Sequence, residues 1–295
     1  MIRIIVHGGA GRITDQEGHR TGVRRAVRVG HAILQDGDSA LDAVVKAVVT
    51  MEDDPTFNCG TGSALSLDGR AEMDAAVMLD DRSCGAVAAI ERVKNPVLVA
   101  RQVMEQTDHV LLVGPEAVKF ARWMGFESYD PITEHRKKQR AELIQRLKSG
   151  HKLRYFDKLA SFIDKDNGDT VGAIAMDRRG RIAVAASTGG ILLHLPGRVG
   201  DTPVFGTGTY ADERGGVLAT GHGEEIIKLM WAFRTADFME KLPAQMAVDR
   251  AIQQASQYGC TGGLIAMDRK GNVAYGFNSQ SMSYAYVVNE QLVVF

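Results

Sequence analysis

Thr170 opens an apolar run, Thr170-Val171-Gly172-Ala173-Ile174-Ala175-Met176, directly after a polar, breaker-rich segment from Asp164 to Asp169. A threonine at the mouth of a strand is a candidate nucleophile, although Thr is also an ordinary strand residue. Three downstream segments strengthen the chemical reading. Ser187-Thr188-Gly189-Gly190, Gly197-Arg198-Val199-Gly200-Asp201-Thr202-Pro203 and Thr220-Gly221-His222-Gly223-Glu224 add hydroxyls, a guanidinium, a carboxylate and flexible glycines. That set suffices to bind and cut an amino-acid amide. Other chemistries find less support. No Ser/His/Asp arrangement has recognisable local context, and the eight histidines form no HExxH pair. Gly206-Thr207-Gly208-Thr209 lacks the third glycine and the preceding strand of a dinucleotide loop. Cys59, Cys84 and Cys260 are scattered, without CxxC spacing, and read as buried reduced thiols.

Periodicity places the secondary structure around these residues. A short strand from Arg3 to His7 enters a glycine loop. Helices are predicted over Val23–Leu34 and over Ser39–Met51, the latter with Asp38 or Ser39 as cap and Ala43, Val44, Ala47 and Val48 on one face. Ser63–Leu67, an Asp68-Gly69 turn and Ala71–Leu79 read as a hairpin, with Gly85–Val93 a further strand. Asn95-Pro96 starts a helix through Met104, and Pro115–Trp123 begins another. From Pro131 to Asp169 the chain turns polar, with an amphipathic helix predicted around Leu143 and Leu147 and a linker at about 150–169. Beyond the linker the chain carries an internal echo. Residues 172–183 and 263–274 each place apolar residues around an Asp-Arg-x-Gly turn, the mark of a β-hairpin with glycine at positive φ. Between them, Glu224–Phe233 and Pro243–Gln257 have helical spacing. Strands apolar at consecutive positions must be covered on both faces.

Composition limits the partners. The chain has 295 residues, 45% of them apolar, and 35 basic residues stand against 36 acidic ones. No basic stripe for nucleic acid or anionic membrane results. Met1–Val6 is too short and too soon interrupted by Arg3 for a signal-peptide core, and no run approaches the ~18 apolar residues of a membrane span. A cytoplasmic location is the expectation.

Taken together, His7-Gly8-Gly9-Ala10-Gly11, Glu52–Ser63, Glu72-Met73-Asp74-Ala75, Asn95-Pro96, the segments above and Gly262-Gly263-Leu264-Ile265 make the chain resemble the plant-type L-asparaginase and isoaspartyl peptidase family of threonine N-terminal-nucleophile hydrolases. The resemblance covers nearly the whole chain. It implies an α+β fold, the four-layer αββα sandwich of that class, in one domain over 1–295. It also implies autocleavage between Asp169 and Thr170 into an α subunit, 1–169, and a β subunit, 170–295, that assemble as an (αβ)2 heterotetramer. Thr170 then gains a free α-amine with a pKa near ~7.7–8, able to act as base for its own hydroxyl. By the same resemblance Thr188 supports the nucleophile, Thr220 and Asn58 are oxyanion donors, Arg198 and Asp201 clamp the substrate's α-carboxylate and α-ammonium, and Gly221 and Gly223 line the pocket. The helix starting near Glu224 would point its N-terminus at an anion. The chemistry requires no cofactor. A structural sodium ion on main-chain carbonyls of Met51, Glu52, Asp54, Phe57, Cys59 and Thr61 is also implied.

The expected substrates are L-asparagine and β-aspartyl dipeptides, opened through a β-aspartyl ester on Thr170. One departure stands out: Asp169 occupies the position where most asparaginase-type members carry Gly, as in glycosylasparaginases and the threonine aspartase. A glycosylasparaginase-like hydrolase is therefore one alternative, and an uncleaved amino-acid-binding protein is another. Arg198 and Asp201 could also form an ordinary loop ion pair.

Overall fold

Thr170–Met176 and Ile182–Thr188 are buried at every position, so each must be covered on both faces. A computed structural model describing residues 2–148 and 170–295 shows how. Asp169 and the expected linker at about 150–169 lie outside the described residues. One sheet has eight strands: β1 (Arg3–Gly11), β2 (Met73–Leu79), β3 (Cys84–Ile90), β4 (Leu111–Val113), β5 (Thr170–Met176), β6 (Ile182–Thr188), β11 (Ser281–Val288) and β12 (Gln291–Val294). They run in the order β12-β11-β1-β5-β6-β2-β3-β4, antiparallel except for β3 and β4. The second sheet holds β7 (Thr209–Asp212), β8 (Gly215–Gly221), β9 (Gly262–Asp268) and β10 (Val273–Phe277), in the order β10-β9-β8-β7.

The period of two in each strand sorts its side chains into layers. Val171, Ala173 and Ala175 of β5 join Val23 and Val27 of α1 (Gln16–Asp36), Val44 and Val48 of α2 (Ala40–Glu52) and Val97 of α3 (Pro96–Gln106). Ile174 of β5 and Val184 of β6 face the other way and meet Leu218 of β8 and Ile265 and Met267 of β9. Val217, Ala219, Leu264 and Ala266 then face Trp231 and Ala232 of α7 (Trp231–Met239) and Val248 and Ala251 of α8 (Ala244–Gln257). Two sheets thus pack face to face between helices, a mixed α and β architecture. No helix among the described residues is long and apolar enough to cross a membrane.

Both halves of the internal echo are hairpins. In β5–β6 the Asp177 carboxylate accepts the amides of Arg179 and Arg181, and Gly180 has φ +78°. In β9–β10 Asp268 accepts those of Lys270 and Asn272, and Gly271 has φ +79°. Ser39 caps α2 by accepting the Asp42 amide at 3.1 Å. The first helix runs further than its apolar period suggests, from the Asp15 cap to Gly37 in the left-handed region.

Two expectations need correction. Ser63–Leu67 is not a strand: both edges of β2 are taken by β3 and β6, and the segment instead bonds the 190s loop, with Leu193 N–H donating to the Leu65 carbonyl and Leu67 N–H to that of His194. The helix expected over Glu224–Phe233 is broken at Met230, which has φ +48°, into α6 (Gly223–Leu229) and α7. The amides of Ala232 and Phe233 turn to the carbonyls of Thr207 and Gly206. The amphipathic helix expected around Leu143 is present as α5 (Glu134–Lys148), with Leu143 buried beside Leu192 and Leu193; Leu147 has no described side chain.

Candidate active site

The alternation that places Ile174 between the sheets also places Thr170 there, because side chains two apart share a face. Thr170 is the first residue of β5 and lies directly opposite Thr188, the last of β6, which in turn lies opposite Asp74 of β2. All three are buried. From the second sheet Thr220, two residues beyond Leu218 on β8, brings its hydroxyl over this row and donates to the Thr170 carbonyl at a long 3.5 Å. The Thr188 hydroxyl accepts the Gly190 amide at 3.1 Å.

Asn58 closes one side. Its own carbonyl accepts the Gly189 amide at 2.8 Å, its Nδ2 donates to the Gly190 carbonyl at 2.6 Å, and its Oδ1 accepts the Ala64 amide at 2.6 Å. One amide hydrogen is thereby committed to the turn after Thr188, and Nδ2 carries a second. The loop that presents Asn58 is knotted at its base, where Thr61 N–H returns to the Glu52 carbonyl at 2.8 Å. Met51 and Asp54 carbonyls accept the amides of Asp54 and Phe57. The carbonyls of Met51, Glu52 and Asp54 each keep a second lone pair, the kind of oxygen that a hard cation takes. Among the described residues no cluster of three or more His, Cys, Asp or Glu could hold a metal, and a carbonyl cage needs none. The three cysteines are free, Cys59 and Cys260 buried and Cys84 half-buried.

On the other side stand Arg198 and Asp201, and they do not form the ordinary loop ion pair. The Arg198 fork goes to Glu224, with Nε to Oε1 at 2.9 Å and Nη2 to Oε2 at 2.8 Å. The remaining Nη1 edge faces Gly190, where a Cβ would sit 3.5 Å away. Asp201 is 4% exposed, and its Oδ2 has no hydrogen-bond partner. Burial pushes its carboxyl up to about 7, opposed by its own main-chain amide and by Arg198. Buried acceptors nearly always have a partner, so this oxygen is an exception among buried polar atoms. Gly223 leaves the space: a Cβ there would lie 2.7 Å from Arg198 Nη2 and 2.9 Å from Asp201 Oδ1. Gly221 has φ +142°, and a side chain would strike the Thr261 carbonyl. The helix expected to aim its N-terminus at an anion, α6, is only seven residues long.

The site thus brings together Thr170, Thr188, Thr220 and Asn58 at one end of the two sheets, with Arg198, Asp201 and Gly223 beside them. Glu224 was visible in its motif without a role, and its reach to Arg198 is a tertiary fact. His7 was visible in the same way. Its ring, wholly buried, lies where a Cβ of Gly172 would be, and burial lowers its pKa to about 3, partly offset by the Thr170 main chain.

Known proteins match this chain over nearly its full length. The family model described as Asparaginase matches residues 1–295. A plant-type L-asparaginase of Pyrococcus furiosus is 50% identical over 297 residues, covering 97% of this chain and 96% of its own. That of Thermococcus kodakarensis is also 50% identical, with the same coverage. An isoaspartyl peptidase/L-asparaginase of Danio rerio is 42% identical, covering 96% of this chain and 91% of its own. The chain belongs to the asparaginase family.

Proposed function

We propose that this chain is an autoproteolytic amidohydrolase that cleaves L-asparagine and β-aspartyl dipeptides with Thr170 as N-terminal nucleophile. The observation that carries the reading is the convergence of Thr170, Thr188 and Thr220 between the open ends of the two sheets, beside the buried Asp201, whose Oδ2 has no hydrogen-bond partner. The names of the relatives, L-asparaginase and isoaspartyl peptidase, support the same chemistry. The packed sheets are then the four-layer αββα sandwich of the N-terminal-nucleophile class, one domain that autocleavage divides into 1–169 and 170–295. The order β1-β5-β6-β2 interleaves strands from both fragments, so neither could cover its apolar strands alone. The processed pair stays together and forms (αβ)2. A cytoplasmic setting completes the reading.

In processing, Thr170 Oγ adds to the Asp169 carbonyl carbon, the C–N bond breaks, and water hydrolyses the resulting ester. Asp169 becomes a carboxyl terminus and Thr170 an amine. In turnover that amine takes the hydroxyl proton, and Oγ attacks the substrate's side-chain carbonyl carbon. Thr220 Oγ–H and the second Asn58 Nδ2–H stabilise the oxyanion, while Thr188 supports the nucleophile. The amine returns the proton to the leaving nitrogen, ammonia or an amino acid departs, and water opens the β-aspartyl ester to release aspartate. Arg198 Nη1 receives the α-carboxylate, Asp201 the α-ammonium, and Gly221 and Gly223 admit them closely. A sodium ion on the Met51–Thr61 carbonyls would stiffen the loop that presents Asn58; no cofactor enters the reaction.

The test is kcat/KM for an isoaspartyl dipeptide with its α-carboxylate free or amidated, in processed wild type and Arg198→Ala. Amidation or Arg198→Ala should each cost ~2–5 kcal/mol, the usual loss for one partner of a desolvated charge pair. Equal turnover of blocked and free substrate would overturn the clamp. Because the raised Asp201 pKa means a neutral acid below about 7, aspartate affinity should rise with pH through that value and lose this dependence in Asp201→Asn.

A further inference from the structure

Glu72 and Asp74 are both buried, sit two apart where β2 begins, and have no part in the hydrolytic steps. Three of their four oxygens accept main-chain amides of the loop that carries the clamp, and the Glu72 oxygens also face Arg70 Nη2 at 3.4 Å and His194 Nδ1 at 3.7 Å. Gly197 N–H donates to both Glu72 oxygens, at 3.2 and 3.0 Å, and Gly200 N–H donates to Asp74 Oδ2 at 3.1 Å. These bonds fall on either side of Arg198 and immediately before Asp201. Arg198 is also held by its fork on Glu224 and by its amide on the Leu195 carbonyl at 3.0 Å, and the Asp201 carbonyl by Thr207 Oγ1 at 2.8 Å, but Gly197 and Gly200 offer no side chains of their own, and Gly197 is in the left-handed region at φ +82°.

The sheet is deformed to free Asp74 for this task. The β2–β3 register slips between Met73↔Ile90 and Ala75↔Val87, and Ala89 takes φ +46°, a left-handed conformation that alanine seldom adopts. A bulge of this kind re-aims the groups around it. Here it turns the Ala89 amide onto Asp74 Oδ1 at 2.9 Å, leaving Oδ2 for Gly200. Asp74 also continues the Thr170–Thr188 row, so one carboxylate couples the nucleophile's sheet to the clamp loop. Burial pushes its carboxyl up to about 6, opposed by the amides of Ala89 and Gly200 and by Arg198. Near neutral pH it is ionised and accepts from both amides.

We propose that Glu72 and Asp74 are positioning residues for substrate recognition, holding the amides of Gly197 and Gly200 so that Arg198 and Asp201 stand at the height of Thr188 and Thr170. The inference rests on the reading of Arg198 and Asp201 as the clamp. Carboxylate-to-amide bonds are charge-assisted, and Asp74→Asn replaces one acceptor with a donor that faces an amide.

The experiment compares processed wild type, Asp74→Asn, Glu72→Gln, Arg198→Ala and the Asp74→Asn/Arg198→Ala double variant. It measures kcat and KM for a β-aspartyl dipeptide and amide hydrogen exchange over residues 197–201. Asp74→Asn should raise KM about tenfold or more while kcat stays within about threefold, and should speed exchange in the loop. The double variant should raise KM by less than the product of the two single effects, because Asp74 acts in part through Arg198. Glu72→Gln, which keeps one acceptor for Gly197, should show the same pattern at smaller size and serves if Asp74→Asn does not fold. Wild-type KM and exchange in both carboxylate variants, beside a raised KM in Arg198→Ala, would overturn the anchor and leave the clamp standing. Additive effects in the double variant would also overturn the anchor. An unchanged KM in Arg198→Ala would remove the clamp, and the anchor's role in recognition with it.

Discussion

The hairpins β5–β6 and β9–β10 share an Asp-Arg-x-Gly turn and face one another across the sheets, yet their open ends differ. The first opens on Thr170 opposite Thr188. The second opens on Gly262 and Gly263, which lie opposite Gly221 and Thr220 of β8. A Cβ at Gly263 would strike Met282 Sδ, and one at Gly262 the Thr220 carbonyl. The same local fold therefore supplies hydroxyls from one side and bare backbone, closely packed on β8 and Met282, from the other. The hairpin is a scaffold, and the chemistry resides in what stands at its mouth.

Removing the hydroxyl at the first mouth should have the largest effect. Thr170→Ala should lose about four to six orders of magnitude in asparagine turnover, as expected for a nucleophile; a loss below tenfold would make the two mouths equivalent and end the comparison. Thr220→Ala, next to the bare mouth, should lower kcat of processed protein by about 10²–10³, the usual cost of one oxyanion donor. A change in KM alone would make Thr220 a packing residue.

The layers behind the hairpins differ as well. α8 presents Ala247, Val248 and Ala251 to the second sheet, whereas α2, behind the first hairpin, ends on Glu52, which is wholly buried and accepts the Val97 amide at 3.0 Å. Burial pushes the Glu52 carboxyl up to about 8 from 4.5. Its folded pKa is raised, so the folded state holds the proton more tightly and stability falls as pH rises from about 4.5 to about 8. Glu52→Gln should flatten that slope by about 2–4 kcal/mol between the two pH values in urea unfolding. An unchanged slope would mean that Glu52 is not the titrating acid.

The smallest effects belong to the shared turns. Asp177 is buried and also accepts the Ala40 amide of α2 at 3.3 Å, while Asp268 serves only its own turn and Asn272. Asp177→Ala should cost about 1–2 kcal/mol and Asp268→Ala under about 1 kcal/mol in thermal unfolding, with kcat near wild type in both. The reverse order would place the anchoring turn in the second hairpin.

These regions also mark what a sequence discloses. The echo was legible because turn chemistry and alternation are local: Asp177, Gly180, Asp268 and Gly271 announce their turns within four residues. Thr170 was legible as a strand start behind a polar segment. The fork of Arg198 on Glu224, and the amides of Gly197 and Gly200 on Glu72 and Asp74, were not, since bonds between distant segments leave no periodic trace. The false strand at Ser63–Leu67 has the same cause. Its apolar residues do have a partner, but it is the 190s loop rather than β2. The break at Met230 was hidden because the helical spacing continues across it.

The central claim, that Thr170 becomes a chain terminus by its own action, is most directly tested by intact-mass spectrometry with N-terminal sequencing of the purified protein beside Thr170→Ala. The account predicts fragments 1–169 and 170–295, the second beginning at Thr170, in the wild type and one undivided chain in the variant. An undivided wild type that turns over asparagine, or a Thr170→Ala chain cut at the same bond, would contradict it.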